Sequence, residues 1–337
     1  MLSFLTQRLA WGVLVLLLVA VLTFFLRRVV PADPAAFLAG QNASEETVAR
    51  IRAEYGLDRP LLVQFGTYLA GLARADFGLS IRTHRSVGTD LAQFLPATLE
   101  LLIVSFLLYL AISFYLAVAA ARRPGGAVDS GIRLLTMLGP GIPVFWLGMA
   151  LQFVFFYRLH WLPLGGRFPI REVPPTPVTG FLLLDTLIAG DPGAFWQALR
   201  SMTLPALTIV INLLAVGTRL SRAALIAEYD KLYIRTARGK GLGPRAILYK
   251  HVLRNALSPV LTVTTMQFGY MISWVILVEV IYDWPGIGLY AYQSFQVFDY
   301  APVIALAVVS TTGFVLINLL MDLLYPLIDP RVRSVAA

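Results

Sequence analysis

Cysteine is absent from the 337 residues of the chain. That excludes disulfide cross-links, thiolate metal sites and cysteine nucleophiles. Charge is scarce: Asp, Glu, Lys and Arg make up 14% of the sequence, against about 25% in soluble globular domains. Three histidines, His84, His160 and His251, stand far apart and form no HExxH or His-rich metal signature. No GxxxxGK[ST] phosphate loop occurs. Arg238-Gly239-Lys240-Gly241 has the residue types, but neither the spacing nor a preceding strand. Alternation of period two is also missing, which argues against a transmembrane β-barrel.

Long apolar runs take the place of these features. The chain is 58% hydrophobic with a mean hydropathy of +0.74. A span needs roughly 20 mostly apolar residues. Residues 9–26, 99–121, 134–157, 204–226, 260–281 and 301–324 meet that length. The expected fold class is therefore an all-α polytopic membrane protein with six transmembrane helices. The first run follows Arg8 as in a signal peptide, but it is long for one and no clean small-x-small site follows it, so it is expected to be a retained helix. The net charge of +8 is unevenly spread. With the N-terminus inside, Arg8, Arg122, Arg123, Arg133, the cluster from Arg219 to Arg254, Arg331 and Arg333 all fall on the cytoplasmic side. The final short outer loop, residues 282–300, carries no Lys or Arg. Arg27 and Arg28 run against the pattern, but the balance predicts N-in and C-in. The basic cluster lies against apolar runs without a recognition motif, so a nucleic-acid partner is not expected.

Three regions follow: 1–30 as the first transmembrane helix, 31–97 as an extracytoplasmic helical segment, and 98–337 as a transmembrane core with a cytoplasmic coupling loop at 227–259. In the second region Ser44 precedes Glu45 and Glu46 and is predicted to cap a helix carrying Val48, Ile51 and Tyr55 on one face. Gly56 stops it. Asp58 before Pro60 starts another, with Leu61, Phe65, Tyr68, Leu69 and Leu72 as its apolar stripe. The second outer loop, 158–203, is rich in Pro and Gly, and its run 181–188 is too short to span. The third span contains Pro140 and Pro143, tolerated where neighbouring helices satisfy the freed carbonyls. Trp161, Tyr282 and Trp284 are expected in an aromatic belt at the outer interface.

Residues 228–262, EYDKLYIRTARGKGLGPRAILYKHVLRNALSPVLT, form a basic amphipathic segment between two apolar runs. A short helix over 227–238, with Tyr229, Leu232, Tyr233 and Thr236 on one side, is bounded by Gly239, Gly241, Gly243 and Pro244. Such a helix, lying parallel to the membrane, suits a groove in a partner. Tyr233-Ile234-Arg235-Thr236-Ala237-Arg238, Lys240-Gly241-Leu242 and His251-Val252-Leu253-Arg254-Asn255-Ala256-Leu257 with Pro259 resemble the cytoplasmic loop of inner-membrane subunits of binding-protein-dependent ABC importers. The branch resembled is the one for dipeptides, oligopeptides and nickel. Arg235-Thr236-Ala237 stands where the broader family has Glu-Ala-Ala, as the peptide branch itself does. The likeness extends to Gly56-Leu57-Asp58-Arg59-Pro60, Asp76-Phe77-Gly78-Leu79-Ser80, Leu95-Pro96-Ala97-Thr98-Leu99-Glu100, the stretch from Glu279 to Gly288, and Asp329-Pro330-Arg331.

The resemblance implies a type I ABC importer permease fold in the bacterial inner membrane. It implies a second permease subunit, two ATPase subunits that hold ATP and Mg, an extracytoplasmic substrate-binding protein, and no cofactor in this chain. It makes Tyr229, Tyr233, Ile234, Arg235, Thr236, Ala237, Arg238 and Gly241 the residues that couple to an ATPase subunit. The chain itself is expected to have no enzymatic activity. Short peptides are the expected substrate, with nickel or another small solute as the alternative. Glu100, Glu279, Arg219 and Asp322 lie near span ends, where snorkelling and anchoring are the simplest reading. That poverty of deep charges, with no similar halves, argues against a secondary carrier. An intramembrane enzyme would need a catalytic dyad or metal motif inside the spans, and none is seen.

Overall fold

The structure, a computed structural model, describes residues 2–29, 43–54 and 58–328. Tyr55, Gly56, Leu57, the start of the 31–97 segment up to residue 42, and the terminal Asp329-Pro330-Arg331 with Arg333 lie outside them. The described residues are helical and contain no strand beyond an isolated antiparallel bridge between Leu79 and Ser86. In chain order the helices are α1 (Leu2–Val29), α2 (Glu45–Glu54), α3 (Leu61–Ala73), α4 (Val87–Arg122), α5 (Ala127–Leu138), α6 (Val144–Leu151), α7 (Leu182–Ile188), α8 (Pro192–Tyr229), α9 (Leu232–Gly239), α10 (Leu253–Ile281), α11 (Ile287–Gln296) and α12 (Tyr300–Ile328). Among the described residues, five helical stretches are long and apolar enough to cross a membrane: Thr6–Leu26, Val87–Arg122, Pro192–Tyr229, Pro244–Ile281 and Tyr300–Leu323.

The apolar run at 134–157 is not one continuous helix. It breaks at a 3-10 turn, Gly139–Gly141, and α6 runs on into a π-helical turn at Gln152–Arg158. Two causes are local. Pro140 and Pro143 lack amide donors, and Pro143 takes extended backbone (φ −61°, ψ 138°) just before α6. Gly139 also sits against α8, where an added Cβ would lie 2.6 Å from that of Ala215.

The chain divides into two compact units. One comprises residues 94–289 with those from Leu316. Its core gathers Leu101, Tyr109, Ile209, Leu213, Met271 and Val275 around Tyr282 and Trp284. The sequence placed Tyr282 and Trp284 in an interfacial belt, but both are fully buried. The reason is polar satisfaction: Trp284 Nε1 donates to the Ala97 carbonyl at 3.0 Å, and the Tyr282 hydroxyl lies 2.8 Å from Thr208 Oγ1 and 3.1 Å from the Gly148 carbonyl. Trp161 remains exposed.

The other unit comprises residues 2–93 and 290–315. Here Ser44 caps α2 through the Thr47 amide (3.2 Å), as its sequence position predicts. Phe65 and Tyr68 of the α3 stripe meet Phe24 of α1 at ring-centroid distances of 5.3 and 5.8 Å. Leu61, assigned to the same stripe, is exposed. The bridged turn is tied down by Asp299, which accepts from Ser80 Oγ (2.5 Å) and the Arg82 amide (3.1 Å). Tyr290 donates to Asp90 at 2.7 Å, and Arg85 pairs with the same carboxylate at 2.6 Å.

Candidate functional site

The segment between α8 and α10 folds as a short helix seated on its own apolar base. The amphipathic pattern predicts a short helix starting at 227, but residues 227–229 continue α8. The break comes at Lys231, whose backbone is extended (φ −69°, ψ 148°), and α9 begins at Leu232. It ends in a complete Schellman motif. Gly241 takes the left-handed conformation (φ +79°) and donates to the Arg238 carbonyl at 2.9 Å, while Leu242 donates to Ala237 at 3.2 Å. Gly241 is thus the residue that lets the chain turn out of the helix.

One face of α9 is buried. Ile234 and Ala237 join Ala117, Val118 and Ala121 of α4, Leu225 of α8, and Ile247, Leu248, Val252 and Ala256 on the way into α10. Leu242 and Tyr229 pack against the same cluster. The opposite face is solvent-exposed and consists of Leu232 (76% accessible), Arg235, Thr236 and Arg238, with Tyr233 partly exposed. The eight expected residues therefore divide. Ile234, Ala237 and Tyr229 belong to the seat, Gly241 to the exit, and Arg235, Thr236 and Arg238 to the outward surface. Tyr233 joins the two sets, donating its hydroxyl to Glu228 and accepting from Asn255 Nδ2 at 3.0 Å. Lys231 pairs with Glu228 at 2.8 Å.

A second polar contact holds this end of the bundle. Asp129 of α5 is buried and receives Arg222 of α8 in bidentate fashion, Nε at 2.5 Å and Nη2 at 2.7 Å, and the Gly125 amide at 2.8 Å. Hydrogen bonding by the Arg222 guanidinium holds the Asp129 carboxyl down at about 2, below its ordinary value, despite the opposing effect of burial.

Two carboxylates read from the sequence as interfacial anchors are instead buried. Glu279, fully buried, accepts from Thr98 Oγ1 (2.5 Å) and from the amides of Gly288 (2.7 Å) and Leu289 (3.1 Å). It thereby draws the Trp284-Pro285-Gly286 turn onto the end of α10. Glu100 accepts from Arg167 Nη2 (2.5 Å) and from the Leu183 amide (2.6 Å). The signal for Glu279 was in the sequence: a carboxylate in an apolar run, followed at short range by two glycines able to bring amides close. Asp129 carried no comparable signal, because its partner is 93 residues away. Asp185 accepts from the amide and hydroxyl of Thr179, both at 2.7 Å, and the Gly180 amide at 3.1 Å. Burial pushes its carboxyl up, but these donors outweigh it and leave it below the usual range. Among the described residues no three His, Asp or Glu side chains converge in a way that could hold a metal ion.

Comparison with known proteins matches both parts of the chain. Residues 113–334 match the family described as binding-protein-dependent transport system inner membrane component, and residues 1–102 match the N-terminal region of such membrane components. The probable D,D-dipeptide transport system permease protein DdpB of Escherichia coli (strain K12) is 42% identical over 331 residues, covering 98% of this chain and 97% of that protein. The di/tripeptide transport system permease protein DppB of Pseudomonas aeruginosa (strain UCBPP-PA14) is 36% identical, with 99% of each chain covered. The dipeptide transport system permease protein DppB of Escherichia coli (strain K12) is 35% identical over 338 residues.

Proposed function

The chain belongs to the family of binding-protein-dependent transport system inner membrane components, and from that premise we propose that it is the permease subunit of an ATP-driven importer of short peptides. The observation that carries this reading is similarity along nearly the whole chain to permeases named for dipeptides and tripeptides. With a second permease, this chain forms the translocation path. An extracytoplasmic binding protein delivers substrate, and two ATPase subunits bind ATP and Mg. In this reading the broken apolar run 134–157 is a sixth crossing, both termini lie in the cytoplasm, and α9 lies on the cytoplasmic face. There the exposed face of Leu232, Tyr233, Arg235, Thr236 and Arg238 docks in a groove of an ATPase subunit. Closure of the ATPase pair on ATP moves α9 and turns the path outward; hydrolysis resets it. The chain makes and breaks no covalent bond.

A peptide path must accept varied side chains, so it is held by few specific contacts. Cells lacking this chain are expected to lose uptake of several unrelated short peptides while nickel uptake is unchanged. Loss of nickel uptake with peptides spared would overturn the substrate class and leave the permease assignment standing.

A further inference from the structure

A surface cavity of about 450 Å³ is lined by His160, Trp161, Leu162, Trp196, Leu199 and Arg200. The sequence sets both of its walls at one membrane level. Arg158 ends the apolar helix Val144–Arg158, with His160 and Trp161 two and three residues further on. Arg200 sits one turn before Leu204, where the apolar run of α8 begins. Helix α8 has 38 residues and so extends about 57 Å at 1.5 Å per residue, well beyond a hydrocarbon core of about 30 Å. Its first turns therefore stand at headgroup depth. Trp161 and Trp196 are each 60% accessible, the placement that amphipathic indoles take at a membrane interface.

The chemistry of the lining is one-sided. It carries a guanidinium and an imidazole but no carboxylate. Arg200 Nη2 donates to the Trp161 carbonyl at 2.5 Å, which pins the guanidinium at the cavity wall and leaves its other N–H groups for a ligand. His160 is held in left-handed backbone (φ +53°), a conformation uncommon for a side-chain-bearing residue. We propose that this cavity binds an anionic phospholipid. Arg200 and His160 hold its phosphate oxygens by hydrogen bonds, charge-assisted from the guanidinium, the indoles lie at glycerol depth, and Leu162 and Leu199 meet the acyl chain. A zwitterionic headgroup fits less well, since its ammonium finds no acidic group there.

The test uses the full-length chain, purified with whatever subunits accompany it, and native mass spectrometry of phospholipid retained after delipidation and titration. Phosphatidylglycerol is expected to be retained in preference to phosphatidylcholine. Arg200→Gln is expected to weaken its retention about tenfold, equivalent to ~1.4 kcal/mol. His160→Asn tolerates the left-handed backbone, leaves the Arg200–Trp161 contact in place, and is expected to weaken retention in the same sense. It therefore decides the matter should Arg200→Gln fail to fold. Equal retention of the two lipids, or variants that bind like the parent, would overturn the proposal. Displacement of phosphatidylglycerol by excess inorganic phosphate would overturn it in favour of a free-anion site. None of these outcomes bears on the transport reading.

Discussion

Asp129 shows how much a single side chain holds in a chain with so few charges. Its carboxylate satisfies Arg222 and the Gly125 amide together. Asp129→Asn is expected to cost about 1.5–3 kcal/mol, the range for a hydrogen bond to a charged group. The pH dependence has a defined sign. The folded-state value, about 2, lies below the ordinary 3.8. The contribution is therefore complete above about pH 4 and is lost as pH falls through about 2. Denaturation of the parent and Asp129→Asn should converge over that interval; a constant gap into acid would show that the charge is not what stabilises. Gly286 is the second decisive residue. A Cβ there would fall on the Glu279 carboxylate and the Thr98 hydroxyl, both of which are buried and bonded to each other. Gly286→Ala is expected to lower the melting temperature more than Gly141→Ala, where an added Cβ meets nothing within 4 Å. Equal melting temperatures would contradict the tight fit around Glu279.

At the scale of the element, α9 separates a buried seating face from an exposed face, the one proposed to dock. Ile234 and Ala237 face the apolar cluster, while Leu232 and Arg235 face outward. Leu232→Asp and Arg235→Glu are expected to leave the chain inserted and stable but to abolish substrate-stimulated ATP hydrolysis by the assembled transporter. Ala237→Glu places a carboxylate in the apolar seat, which costs several kcal/mol, and should reduce the level of folded chain itself. ATPase stimulation at the parent level in both outward variants would remove α9 as the docking element. The helix was legible in the sequence because its glycines and its basic character are local. Its start at Lys231 was not, because Ala227–Tyr229 satisfies the amphipathic pattern equally well as the end of α8. The break in the 134–157 run had a visible cause in Pro140 and Pro143, whereas the close approach of Gly139 to Ala215 depends on a partner helix and could not be read from periodicity.

At the scale of the whole molecule, composition alone identified an all-helical membrane chain, since a mean hydropathy of +0.74 and long apolar runs leave few alternatives. Burial of Tyr282, Trp284, Glu100 and Glu279 escaped that reading. Residues of amphipathic or charged type near span ends look interfacial until what covers them is placed: here the Gly165–Gly166 turn lies on Tyr282, Arg167 and the Leu183 amide on Glu100, and the Trp284–Gly288 turn on Glu279. Gly166 donates to the Tyr282 carbonyl at 2.7 Å, a contact joining residues more than a hundred positions apart. As proposed, this chain passes short peptides across the membrane only when separate subunits hydrolyse ATP. Uptake of a labelled dipeptide into proteoliposomes tests that most directly. This chain, its paired permease, the two ATPase subunits and the binding protein are reconstituted, with this chain omitted in a parallel sample. Accumulation is predicted only with all components and ATP present. Accumulation in the sample without this chain, or by this chain alone without ATP, would contradict the account.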